Sequence, residues 1–218
     1  ALPILAKPLG LDFKIGLDES DLSRCADTLM VSNESALSVL KIMTYVPDML
    51  LSKSMRGAKD AVISGDYATA FAARGLDGDD AVNSAEWRLA EVPAANGHGT
   101  AASLAKLYGV LSNGGSRNGQ HLLKPETIKH VTSVHSGGPD TVLFGLPYQF
   151  GLGYMVNAPL TPIGVKPGMF GHTGIGGEVP FGDLNNNLGF SFVNNRQQNI
   201  GNLYKTANNL SKALYKAL

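Results

Sequence analysis

The sequence predicts an α+β fold: an antiparallel sheet packed with helices, preceded by a largely helical region. Three observations carry this prediction. Ala101, Leu104, Leu107, Tyr108 and Leu111 fall at helical spacing behind Thr100, a good N-cap. The cluster Asp183-Leu184-Asn185-Asn186-Asn187 separates two apolar runs of strand length, the pattern of a hairpin. Leu203, Tyr204, Ala207, Leu210, Leu214 and Leu218 form one apolar stripe near the C-terminus, as on a helix lying across a sheet.

Taken in order, Ile4-Leu5-Ala6 before Pro8 and Gly10 reads as the last turn of a helix whose body lies upstream. Asp12–Leu17 reads as a short extended piece, and Asp18-Glu19-Ser20 as an acidic cap on a few helical turns. From Ser35 to about Gly75 the pattern is loosely helical, interrupted at Pro47, and too ragged to fix boundaries. Gly75–Asp80 is a polar loop whose three aspartates lack the spacing and closing glutamate of a calcium site.

Asn83–Glu91 carries the only tryptophan, Trp87, and leads through a Gly-rich loop to the Thr100 helix. Asn113-Gly114-Gly115 stops that helix with residues that tolerate left-handed backbone, and Pro125 opens another. Ser136-Gly137-Gly138-Pro139-Asp140 reads as a loop and marks a change of character. We therefore divide the chain into 1–137, the latter part of a helical region, and 138–218, strands and a closing helix. Gln149–Val156 reads as one strand. Phe170–Asp183 reads as a glycine-rich strand, left bare so that a ligand or another backbone can approach.

Composition removes several functions. Lysines and arginines balance the acidic residues at net charge +0 and are scattered singly, so no basic stripe is available for nucleic acid. No apolar run is long enough for a membrane span. The single cysteine, Cys25, excludes an internal disulfide. His121, His130 and His135 lack metal-ligand spacing, and neither a metal nor a cofactor is expected.

Four stretches are informative in combination: Glu91–Ala101, Phe150-Gly151-Leu152-Gly153, Phe170-Gly171-His172-Thr173-Gly174 through Gly177, and Asn194-Asn195-Arg196. Together they resemble the C-terminal half of the serine β-lactamase-related family, which includes class C β-lactamases, penicillin-binding-protein-like enzymes and related esterases. Pro8–Leu17 resembles the family's segment just after its second catalytic motif. Members act through a Ser-x-x-Lys nucleophile, a Tyr-x-Asn or Ser-x-Asn motif, and a Lys-Thr-Gly strand. His172-Thr173-Gly174 stands at the third, with histidine for lysine.

The resemblance implies a β-lactamase/transpeptidase-like fold and an acyl-enzyme mechanism on esters or small amides. It implies that the Ile175 backbone amide helps stabilise the oxyanion beside His172, with Thr173, Gly174, Gly176 and Gly177 binding substrate; His98, in a Gly-rich loop next to a helix N-terminus, is a further substrate-binding candidate. His98 is equally readable as a loop histidine bonded to backbone. A histidine, of ordinary pKa about 6.5, is a weaker anchor than lysine for a lactam carboxylate, which favours esters. The first two motifs are expected upstream of Ala1, so the N-terminal half of the same protein is an expected partner and this chain alone is expected to be inactive and incomplete.

Two Ser-x-x-Lys spacings do occur, Ser38 to Lys41 and Ser103 to Lys106. With 16 serines and 12 lysines, chance alone supplies about one. Ser103, in the first turn of its helix with Lys106 on the same face, is the stronger decoy, and Ser116-Arg117-Asn118 mimics the second motif. A different class remains open: a non-catalytic member in which the same fold binds a ligand or serves as a scaffold.

Overall fold

The computed structural model describes residues 2–29, 42, 44–65, 81–140, 142–143 and 145–218. The Ser38–Lys41 spacing, the Gly75–Asp80 loop and residues 35–41, 43 and 66–75 of the ragged helical stretch lie outside the described residues.

The N-terminal turn does not stop at Pro8. A wide helical turn over Leu2–Ala6 continues through Lys7–Leu9 and ends at Gly10, whose left-handed backbone (φ 58°) closes it. β1 (Phe13–Ile15) follows, then a 3₁₀ turn over Glu19–Arg24 where the Asp18 amide donates to Asp21 Oδ2. α1 (Lys53–Ser64) is capped by the Ser52 hydroxyl, and α2 (Ala85–Leu89) by that of Ser84. β2 (Gly97–Gly99) pairs antiparallel with β1, placing His98 opposite Lys14.

α3 (Ala101–Ser112) begins as expected, its Ser103 amide donating to Thr100 Oγ1 at 3.2 Å, and ends in left-handed Gly114 and Gly115. A small ribbon, β3 (Ser116–Arg117) with β4 (Gln120–His121), leads to α4 (Pro125–Val131).

The rest is one antiparallel meander in which every strand pairs with its sequence neighbours: β5 (Ser136–Pro139), β6 (Pro147–Phe150), β7 (Met155–Asn157), β8 (Met169–Gly171), β9 (Val179–Asp183) and β10 (Leu188–Phe192). Three expectations are corrected here. Ser136–Pro139 is an edge strand, its glycines paired with Tyr148 and Gln149, because backbone pairing needs no side chain and an edge tolerates proline. Gln149–Val156 is two strands, since Gly153 turns left-handed (φ 83°) and folds β7 back on β6. The glycine run is the turn between β8 and β9 rather than a strand. The β9–β10 hairpin is as expected.

Side-chain alternation along the strands divides the core in two. On one face Tyr148, Met155, Met169, Val179 and Phe181 pack with Tyr204 and Ala207 beside α5 (Lys205–Ala217). On the other, Phe170 packs with Tyr108 and Leu111 of α3 and Ile128 of α4. Each large side chain fully withdrawn here contributes about 1.5–3 kcal/mol. α3 rests directly on β9 and β10. A Cβ at Gly189 would overlap the Ala105 carbonyl and the Gly109 amide, and Ser112 Oγ donates to the Leu188 carbonyl at 2.8 Å.

The α5 stripe is shifted from its expected place. Ala207 and Ser211 are buried, whereas Leu210 and Leu218 are exposed. Tyr215 is drawn inward because its hydroxyl donates at 2.6 Å to Asp183 Oδ2, a carboxylate with no exposed surface. Asn186 Nδ2 donates to the same oxygen, and the Asn185 and Asn186 amides donate to Oδ1. Asp183 thus closes the β9–β10 turn and ties it to α5. Among the described residues no strand pairs with the outer edge of β10, and Tyr45, Met49 and Leu50 stand exposed.

Candidate active site

The turn after β8 is held from three sides. Gly174 N donates to the Glu178 carbonyl at 2.8 Å and Gly177 N to the Gly174 carbonyl at 3.1 Å, so Ile175 and Gly176 are the central pair of a β-turn. From behind, the Gly176 carbonyl accepts the Gln198 amide at 2.9 Å and Asn194 Nδ2 at 3.1 Å. Gly177 has φ 107°, and a side chain there would meet that of Gln198, so the position requires glycine.

Ile175 therefore stands at the tip, 64% exposed. Its N–H reaches no acceptor among the described residues. A free backbone donor on an anchored turn can receive developing negative charge without reorganising.

His172 is exposed and its Nδ1 lies 2.9 Å from the Thr173 carbonyl, so Nδ1 carries the hydrogen in that contact. Thr173 points inward; its hydroxyl donates to Met155 Sδ at 3.5 Å and also meets Tyr204. Gly176 and Gly177 are buried behind the turn, and Gly174 is half-buried.

Sequence reading missed Glu178, Tyr204, Asn194 and Gln198 as members of this cluster. Burial pushes the Glu178 carboxyl above the ordinary carboxylate range, with its own amide and that of Gly176 opposing. Burial also raises the Tyr204 phenol; the Thr173 hydroxyl lowers it and the Glu178 charge raises it further. A polar residue immediately after a glycine run was the available signal for Glu178. Asn194 lay in the Asn194-Asn195-Arg196 stretch but nothing there tied it to this turn, and Tyr204 and Gln198, arriving from distant sequence, left no signal.

His98 is half-buried on β2, flanked by Gly97 and Gly99, over which the Phe13 ring lies. Its Nδ1 is buried without a partner. Burial holds its pKa below the usual histidine value, the Asn96 backbone opposing and the Arg88 charge adding to the shift. No hydrogen bond joins His98 to the 172–177 turn among the described residues. The two regions are bridged indirectly: Arg88 pairs with Asp27 at 2.7 Å, the Asp27 carbonyl accepts Asn195 Nδ2, and Leu29 exchanges backbone bonds with Asn195 and Gln197.

Ser103 is buried, and its Oγ accepts the Asp12 amide at 2.8 Å and the Thr100 hydroxyl at 3.0 Å. Lys106 is exposed and makes no hydrogen bond to it. The geometry gives Ser103 a structural role, tying the Asp12 backbone ahead of β1 to the first turn of α3. Ser116–Asn118 forms the tight β3–β4 turn, with Asn118 left-handed at φ 52°. His130 and His135 lie edge to face at the surface, ring centroids 4.9 Å apart.

A six-stranded antiparallel meander packed with helices is a fold this chain shares with β-lactamase- and transpeptidase-like proteins. Solved structures with this fold include a penicillin-binding protein homologue from Caulobacter crescentus (32% identical, TM-score 0.64, 88% of this chain and 45% of that one). A family VIII carboxylesterase is 29% identical with TM-score 0.60, over 90% of this chain and 45% of that one. EstA from Arthrobacter nitroguajacolicus shares the fold at TM-score 0.66 and 23% identity, over 97% and 53% of the two chains. The chain belongs to the Beta-lactamase family, whose model matches residues 48–214. It is also 41% identical over 109 residues to the esterase/beta-lactamase LipL of Mycobacterium tuberculosis, covering 49% of this chain and 24% of LipL. The chain thus spans about a quarter of that curated relative and about half of each structural neighbour.

Proposed function

We propose that this chain is the C-terminal portion of a serine hydrolase that cleaves esters or small amides through an acyl-enzyme. The serine of a Ser-x-x-Lys motif in the preceding polypeptide attacks the carbonyl carbon. The carbonyl electron pair moves onto oxygen, and the Ile175 N–H donates to that oxyanion. Collapse breaks the bond to the leaving oxygen or nitrogen, which departs as the alcohol or amine with the proton given up by the serine, and water then cleaves the acyl-serine bond, releasing the acid and returning a proton to the serine. His172 lines the approach to Ile175, whereas Thr173 supports the turn from within.

The observation that carries this reading is the unpartnered Ile175 amide on a turn fixed at Gly174, Gly176 and Gly177. Membership of the Beta-lactamase family supports the reaction class. The esterase named in LipL and the family VIII carboxylesterase support esters as the substrate class. On this reading residues 1–137 belong to the helical region and 138–218 to the sheet region, the preceding half of the protein lies against the open side of β10, and His98 lines the substrate cleft.

A fluorophosphonate probe followed by intact-mass measurement tests the nucleophile. The expected result is one adduct on the complete polypeptide and none on residues 1–218 alone. An unlabelled complete polypeptide would instead assign the fold a binding or scaffold role. Comparing a short-chain aryl ester with a penicillin tests the substrate class, and faster penicillin turnover overturns the ester preference.

A further inference from the structure

Gly174 and Gly176 flank Ile175, yet neither has a positive φ, so their backbone conformations do not demand glycine. What demands it is Glu178. A Cβ on Gly174 would overlap Glu178 Oε2, and one on Gly176 would stand 2.5 Å from Oε1 and 3.0 Å from Oε2. At both positions the three nearest atoms all belong to Glu178. Its carboxylate therefore lies across the inner side of the turn, against both glycines, with the Gly176 amide facing it. Its main chain closes the same turn, the Glu178 carbonyl accepting Gly174 N at 2.8 Å. Among the described residues no lysine, arginine or histidine pairs with it.

We infer that Glu178 is a positioning residue whose carboxylate locks the Gly174–Gly177 turn, holding the Ile175 amide outward. The two glycines and Glu178 form one unit: the glycines leave the space and the carboxylate fills it. The catalytic part of this inference rests on the oxyanion role proposed for Ile175; the lock itself does not. A side chain at 176 is accommodated by swinging Glu178 away, since a carboxylate is the mobile end of its side chain. The two changes then cost the same interaction once, and their effects are not additive.

The test is a double-mutant cycle on the complete polypeptide, read by hydrogen exchange of the peptide covering 173–178. Glu178→Ala and Gly176→Ala are each expected to speed exchange at Gly174, Gly176 and Gly177 about tenfold, the scale of losing a hydrogen bond to a charged acceptor. The double variant should be no faster than either single one. Glu178→Gln, which keeps the acceptor and the shape, should stay within about threefold of wild type on the same basis. Unchanged exchange in Glu178→Ala, or additive effects, overturns the lock. Exchange in β8 and β9 serves as the folding control, and Glu178→Asp, which cannot reach the glycines, replaces the alanine variant if that control fails.

Kinetically, Glu178→Ala should lower kcat for an aryl ester about tenfold with KM within twofold, and Glu178→Gln should restore it. A loss confined to KM, or one that Gln does not rescue, removes the positioning role. A wild-type protein that turns over no ester overturns the proposed function, while the exchange cycle still decides the lock.

Discussion

Ile175→Pro isolates a single hydrogen atom. Ile175 is the second residue of the Gly174–Gly177 β-turn, where proline is favoured because its ring presets the required φ. Proline restricts the residue before it, but that residue is Gly174, which is the least restricted of all. The side chain lost is 64% exposed and the N–H lost donates to nothing within the protein. Folding stability should therefore change by about 0.5 kcal/mol or less, the range of ordinary surface substitutions. Catalysis should fall by about 10²- to 10³-fold in kcat, equivalent to about 2.7–4 kcal/mol, if the Ile175 N–H is the oxyanion donor proposed for it. The assay is aryl-ester hydrolysis by the complete polypeptide alongside thermal melting, with Ile175→Ala as control because it keeps the amide. Ile175→Pro retaining more than about a third of wild-type kcat, with an unchanged melting temperature, would refute an oxyanion role for this amide.

Asp183→Ala removes the acceptor for four donors, leaving the half-buried Tyr215 hydroxyl without its partner beside the space the carboxylate filled, while the exposed Asn186 turns to water. Urea denaturation should show a loss of about 1–3 kcal/mol. Asp183→Asn should lose less, since it keeps an oxygen for the two backbone amides. The pH dependence has a definite sign: burial pushes the Asp183 carboxyl up, but Tyr215, Asn186 and the backbone amides together hold it below its ordinary value. Its contribution is therefore complete above about pH 4 and lost as pH falls through the lowered pKa, so Asp183→Ala should flatten the acid limb of a stability–pH curve. His172→Lys restores a permanent cation beside Ile175 and should raise penicillin turnover relative to aryl-ester turnover about tenfold, from one partly screened charge pair; an unchanged ratio argues that position 172 does not read a substrate carboxylate.

The elements legible in the sequence were those fixed by local chemistry. Thr100 and Asn113-Gly114-Gly115 bound α3 because caps act within one turn of the chain, and the Asp183–Asn187 turn announced its hairpin for the same reason. The misreadings share a different cause. Ser136–Pro139 becomes a strand only because β6 is there to pair with it, and the inward turn of Tyr215 follows from a carboxylate 32 residues away. At the site, His172 and Ile175 could be singled out by motif resemblance. Asn194 and Gln198 could not be placed behind Gly176, because their arrival depends on where β10 ends and on the segment around Leu29 that runs beside it.

The contact between Gly109 and Gly189 joins helix backbone to strand backbone with no layer of side chains between them. Side chains can change rotamer and let two elements slide; bare main chains in contact cannot. α3, β9 and β10 therefore travel as one body, and any displacement of Ile175 relative to it must come from the β8–β9 connection, leaving this slab as the fixed reference.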